Sequence, residues 1–401
     1  LSTYKLRDAA KYIPKKIFDN TTNYHPHLFT YTDSSFRIIV DPLLELGITG
    51  YSKNSTIAAT GFQLMGYIGK RLGFQLSMSD VNETGDFDST RIENNTPGII
   101  RKATSIYNKL NYSQINATLG YRFNKGSIVV GQDQHVIGYG KMGNIVLSDK
   151  APSYPFFRIE YHPTTWLRFN YMHAWLQSGF VDSTKSYGLG NTVFDGKRQF
   201  FVPKFYAMHM VEVTPTKGLT IHAGETIVYS DELQLPYLNP ISFFKAIDNN
   251  KFGDNISAGA NGQIFMGISS RNQIPKTHFY SQLFIDEIRI STLVDNKKSR
   301  NQLAYMLGAS VTDVAIPYLT FIAEYSRVNP YVYRNFIPAQ NYSHSSYPLG
   351  DWMGANADRL TLMAKYNPKA NLSIKAYFMK IGKGNQNAVE QQYFGYPQQA
   401  F

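Results

Sequence analysis

The sequence predicts an all-β protein, a transmembrane antiparallel β-barrel of about 16–18 strands behind a short N-terminal helical segment. Three observations predict it. Aromatic residues make up 14% of the chain, with 29 Tyr and 26 Phe against 3 Trp, yet the mean hydropathy is −0.30. Barrel strands reconcile the two, because they alternate apolar with polar residues and carry aromatic girdles at both membrane interfaces. Next, no apolar run reaches the roughly 18 residues a membrane-crossing helix needs. Finally, the strand-like segments are long. TWLRFNYMHAWLQ sets Leu167, Phe169, Tyr171 and Trp175 on one face and Arg168, Asn170, Met172 and Ala174 on the other. Such a length exceeds the five or six residues of about an average strand and meets the roughly 9–11 needed to cross a bilayer.

In chain order, residues 1–34 are expected to be a helical or loop segment, periplasmic or facing the lumen, and residues 35–401 the barrel. Leu6, Ala9, Ala10 and Ile13 have helical spacing until Pro14 interrupts it. His25 and His27 have no carboxylate or third His beside them in sequence, so they read as a solvated loop rather than a metal pair. From Phe36 onward, FRIIVDPLLELGITGYS, STIAATGFQLMGYIG and LGFQLSMSDV are joined by short turns, which predicts up-and-down pairing. A long polar connection over residues 82–111, with a short helix at GIIRKATSIY, is expected outside the cell. YSQINATLGYRFN and GSIVVGQD form a hairpin, and Gly138, Gly140 and Gly143 then crowd a loop before the strand that re-enters at Ser153.

Beyond the long TWLRFNYMHAWLQ strand, residues 178–198 read as an outer loop. A hairpin follows around Pro215 to Gly218. LQLPYLNPISFF is expected to be a loop packed on the barrel, because Pro236 and Pro240 lack the N–H donors a central strand requires. Four more strands are expected over residues 263–292 and 302–333, divided by the basic turn DNKKSR. The loop over residues 335–356 offers Tyr342, Tyr347 and Trp352 as rings that could stack on sugar faces, or equally well belong to a girdle and a loop packed on itself. Phe401 fits the C-terminal aromatic of exported barrels, although Pro397 breaks the alternation before it. An outer-membrane protein is exported, so Leu1 is expected to be the start of a mature or trimmed chain rather than the start of translation.

The composition excludes several classes. Without cysteine there is no disulfide, Cys-ligated zinc, Fe–S cluster or Cys nucleophile. A net charge of +11 favours anionic partners such as acidic polysaccharide or lipopolysaccharide phosphate. The basic residues are scattered and no nucleic-acid motif is present, which argues against nucleic acid. No GxSxG, HExxH or Walker pattern occurs, and Asp286 and Glu287 are adjacent on one strand and so cannot form a glycosidase pair. The expectation is a non-enzyme with no cofactor and no metal. Arg158, Glu160, Arg168, Glu225, Glu287, Arg289 and Glu324 are the candidate lumen charges, expected to neutralise one another.

The stretch GQDQHVIGYGKMGNIVLSDKAPSYPFFRIE resembles the Wzi-like capsule-assembly outer-membrane proteins, through Gly131, Asp133, Gly138, Gly140, Leu147, Ser148, Asp149, Ala151 and Pro152. HMVEVTPTKGLTIHAGETIVYS with YLNP, FIDEI, AEYSRV and LGDWMGANADRL continue the likeness in order. The resemblance implies a barrel of about eighteen strands with an occluded lumen, which organises surface polysaccharide as a lectin rather than an enzyme. Relatives associated with gliding motility imply an alternative, a structural subunit of a motility or secretion complex with other envelope proteins. Lys150 stands where the family often has Asn. With no catalytic set to serve, the glycine-rich loop is expected to be architectural, folding inward to close the lumen.

Overall fold

The computed structural model describes residues 27–50, 54–85, 109–190, 196–247, 259–287, 301–314, 316–345, 347–369 and 372–384. The chain divides into two compact units, Leu1–Arg91 with Ile99–Asp133, and Ile92–Gly98 with Gln134–Phe401. The expected helix near residues 3–17, the helix at GIIRKATSIY, the DNKKSR turn, His25, Arg289 and the C-terminal aromatic all lie outside the described residues.

The first unit holds β1 (Phe29–Thr32), β2 (Phe36–Gly50), β3 (Asn54–Ile68), β4 (Leu72–Gly85), β5 (Lys109–Phe123) and β6 (Gly126–Asp133), each antiparallel to the next. Strand pairing therefore begins at Phe29, inside the stretch expected to be helix or loop. Asp33 causes this, because its Oδ1 accepts the backbone N–H groups of Ser35 and Phe36, each at 2.7 Å, and folds a tight turn between β1 and β2. His27 is held by Asp41, with its Nδ1 2.8 Å from Oδ2. Leu44, Leu46 and Ile48 occupy alternate positions of β2 and are 77%, 89% and 83% exposed. Water would penalise three such side chains by about 1.5–3 kcal/mol each, whereas lipid does not.

The second unit holds the short ribbon β9 (Tyr187–Gly188) with β10 (Lys197–Arg198), a second ribbon β17 (Ser343–His344) with β18 (Tyr347–Pro348), and ten long strands. These are β7 (Tyr154–Tyr161), β8 (Leu167–Val181), β11 (Phe201–Thr216), β12 (Leu219–Ser230), β13 (Asn261–Arg271), β14 (Thr277–Glu287), β15 (Gln302–Thr312), β16 (Leu319–Val328), β19 (Ala357–Lys369) and β20 (Leu372–Lys383). Among the described residues the antiparallel sheet counts sixteen strands, the lower end of the expected number. Within this unit the connections at one end of the strands are short and those at the other end long, the asymmetry of outer-membrane barrels. The LQLPYLNPISFF segment forms a 3-10 turn at Leu235–Leu238 rather than a strand.

Alternation in the second unit is inverted relative to a water-soluble sheet. On β13 and β14 the buried face carries Gln263, Phe265, Ser269, His278, Tyr280, Gln282 and Phe284, while Ile264, Met266, Ile268 and Phe279 on the opposite face are exposed. A polar, covered face and a bare apolar face are what a membrane strand requires. The covered side is called inner below, and the bare side outer. Among the described residues no helix is long and apolar enough to cross a membrane.

Candidate functional site

Two long connections of the second unit, residues 134–153 and 329–356, pack together over the inner face. The first is closed at its neck by Ile137 and Leu147, whose bridge includes a 2.9 Å bond from the Ile137 N–H to the Leu147 carbonyl. Gly138 holds a φ of +134°, a conformation that an L side chain rarely adopts, and a Cβ there would collide with the amide of Asn144. That amide is already committed, since Asn144 Oδ1 accepts the Gly140 N–H at 2.9 Å. Beyond this turn Ile145, Val146 and Leu147 have no exposed surface. Their backbone groups therefore need partners from elsewhere in the protein.

The second connection supplies them. Tyr333 and Tyr342 stack with centroids 5.5 Å apart and planes 18° from parallel. Tyr333 Oη donates to the Ile145 carbonyl at 2.6 Å and Tyr342 Oη to the Val146 carbonyl at 2.8 Å. The Ser148 N–H donates to Leu349 O at 2.8 Å and its Oγ to Gly350 O at 2.5 Å, while Trp352 Nε1 donates to Met142 O at 2.7 Å. Burial pushes the Tyr333 and Tyr342 hydroxyls well above the usual phenol range, which keeps both as donors.

Beneath these contacts Asp351 and Arg359 form a bidentate pair, with both N–O distances 2.9 Å and both side chains fully buried. The guanidinium lies 5.4 Å from the centroid of the Trp352 ring. Gly143 is seated against the pair, where a Cβ would come within 2.7 Å of both Arg359 Nη2 and Asp351 Oδ2. Glu324 on β16 fixes the other side of the loop, accepting from the Lys141 N–H at 2.7 Å and from Tyr280 Oη at 2.5 Å. Lys204 on β11 reaches Asn341 O at 2.6 Å. Burial, and secondarily the Arg158 charge, lowers His135 to about 3. Burial lowers His344 to about 4 and depresses Lys150 despite the Asp149 carboxylate 3.6 Å away.

The residues singled out in the sequence fall into distinct places. Gly131 and Asp133 end β6, and a Cβ at Gly131 would strike the carbonyl of Ala117 on β5. Gly138, Gly140, Ser148 and the buried Pro152 belong to the packed loop, while Asp149 is half exposed beside Lys150. Arg158 lies on the inner face of β7. Glu160 sits 2.6 Å from His162 Nε2 and 3.7 Å from Arg168, which reaches Glu212 at 3.3 Å. Glu287 accepts a bond from Gln302 at 3.0 Å. Glu225 is a correction. It pairs with His209 and Ile264 across β11 and β13, and that register puts it on the outer face. Tyr342 is a second correction, because a ring with no exposed surface and a committed hydroxyl cannot stack on a sugar. Tyr347 is half-buried, and Trp352 is half-buried with its N–H committed.

Sequence reasoning missed the β9–β10 ribbon. Tyr187 is 56% exposed, its ring centroid is 6.2 Å from that of Phe200, and Arg198 lies 5.3 Å over the Phe200 ring. Exposed rings beside a guanidinium suit the apolar face and acidic groups of a charged sugar. The signal was the aromatic and basic content of residues 178–198, read only as a polar loop. Among the described residues no group of three or more His, Asp or Glu is placed to hold a metal ion.

The family model of capsule assembly protein Wzi matches residues 51–400. Among solved structures, Wzi of Escherichia coli, an outer membrane protein involved in group 1 capsule assembly and a carbohydrate-binding β-barrel, aligns with a TM-score of 0.53 at 12% identity, covering 88% of this chain and 72% of that one. Pseudomonas aeruginosa OccK5 (OpdH) aligns with a TM-score of 0.42 at 12% identity over 87% of this chain and 81% of its own. At 12% identity the likeness to Wzi of Escherichia coli concerns the fold. No curated protein matches the sequence.

Proposed function

The chain belongs to the Wzi capsule assembly family, and from that premise we propose that it is a non-enzymatic outer-membrane β-barrel that binds and organises surface polysaccharide through its long-loop end. The observation that carries the reading is the paired loop packing over residues 134–153 and 329–356. Glycines, tyrosine hydroxyls and a buried ion pair are spent on fixing two loops, and a catalytic cleft would need some of those groups free. A rigid platform lowers the ordering cost of binding a flexible polymer.

The sugar-facing groups we assign are Tyr187 and Arg198 on the β9–β10 ribbon and Phe200 just after it. With a chain charge of +11 the fitting ligand is an acidic polysaccharide, whose attraction weakens as salt screens it. The matches reported above give no support to a motility or secretion subunit. Purified protein should bind acidic polysaccharide in a pull-down or by calorimetry. Tyr187→Ala and Arg198→Ala should each weaken that binding about fivefold or more, a loss of about 1 kcal/mol per contact. Binding unchanged in both variants would remove the ribbon from the site.

A further inference from the structure

The outer face of β8, β11 and β12 should meet lipid, yet it carries His173, His209 and Glu225. An ionisable group on a lipid face is costly unless something covers it. The segment that follows β12 does so. Tyr237 and Phe244 are turned toward the sheet, 0% and 1% exposed, in one aromatic cluster with Tyr171, Phe205 and Tyr229. Tyr171 Oη donates to the Tyr237 carbonyl at 2.9 Å. The Glu225 carboxylate accepts the backbone N–H groups of Phe244 and, at 3.4 Å, Lys245, and lies 3.2 Å from His209 Nε2. Glu225 is thus the post on which the segment is seated.

The other side of the segment is bare and apolar. Leu235, Ile241 and Phe243 are 73%, 86% and 56% exposed. Irregular backbone survives in hydrocarbon only when its polar groups are satisfied within the protein. Here the Tyr237 N–H donates to Gln234 O at 3.1 Å and the Asn239 N–H to Pro236 O at 3.3 Å. Pro236 and Pro240 carry no N–H to satisfy at all. The prolines that disqualify the stretch as a strand suit it to a place without water. The surface is also continuous with the bare outer face, since Glu225 lies midway along β12 directly across from the exposed Ile264 of β13.

We propose that residues 233–243 are embedded in the membrane outside the sheet, with Leu235, Ile241 and Phe243 contacting bilayer acyl chains and the buried side sealing Glu225 and His209 from lipid. The chain lacks cysteine, so single-cysteine variants Ile241→Cys and Phe243→Cys can carry a nitroxide label without further changes. The purified full chain would be reconstituted in phosphatidylcholine vesicles, its folding checked by heat modifiability. Spin relaxation by oxygen and by a water-soluble nickel chelate would then be compared at each label. Leu307→Cys on the bare outer face serves as the lipid reference and Lys185→Cys on the long-loop side as the water reference. Labels at 241 and 243 should respond to oxygen over nickel as the Leu307 position does. A nickel response like that at Lys185 would overturn the proposal. So would protection from both reagents with dipolar broadening between labels, which would show a second copy of the chain on this surface.

Discussion

Asp351 and Arg359 illustrate how much rests on single residues. Removing one partner of a fully buried ion pair leaves an uncompensated charge, at a cost of about 3–5 kcal/mol. Asp351→Ala should therefore lower the unfolding midpoint of the detergent-solubilised protein sharply. The double change Asp351→Leu with Arg359→Met should restore much of the loss, and equal losses in the two proteins would show that the ion pair is not the fastener. His135 adds a pH dependence. Its ring packs edge-on against Phe156 at 4.1 Å and its Nε2 is buried without a hydrogen-bond partner. The folded pKa of about 3 lies below the ordinary value of 6.5, so the unfolded chain takes up the proton first as pH falls. Stability is full above about 6.5 and declines toward about 3, by at most about 1.4 kcal/mol per pH unit for this group. His135→Phe keeps the ring, so it should cost little at pH 7 and flatten the decline between pH 6.5 and 4. A variant whose pH profile matches the parent would exclude His135 as a source of it.

At the scale of elements, the strands were legible because alternation is a local signal. TWLRFNYMHAWLQ separates its two faces in sequence as β8 separates them in space. What alternation cannot supply is which face is covered, or by what. Glu225 looked like a lumen charge because carboxylates belong inside a barrel, and only the 231–247 segment makes an outer position tolerable. Tyr342 looked like a sugar-stacking ring because it sits in a loop rich in Tyr, Ser and Gly. Its burial is decided by a partner 196 residues away, the Val146 carbonyl, and nothing near Tyr342 in the chain announces that contact. The glycine-rich loop was legible as an inward-folding element, but not the ion pair and the tyrosine hydroxyls that fix it. If the two packed loops obstruct passage, replacing residues 139–149 by a short Gly-Ser linker should raise single-channel conductance in planar bilayers severalfold. A linker variant that folds and conducts no more than the parent would show that the loop does not block a path.

On the scale of the whole molecule, membership of the capsule assembly family, the barrel fold and a basic balance support the proposed role of keeping an anionic polymer at the cell surface. β8 and β11 have 15 and 16 residues, more than the about 9–11 that suffice to cross a bilayer. The ribbon with Tyr187 and Arg198 lies in the connection between β8 and β11, one of the long connections. Retention of surface polysaccharide tests this account most directly, measured as cell-bound against released polymer in a strain lacking the gene, with and without the wild-type gene restored. The account predicts that synthesis continues while polymer shifts from the cells to the medium, and that the wild-type gene returns it. Unchanged cell-bound polymer in the deletion strain would contradict it.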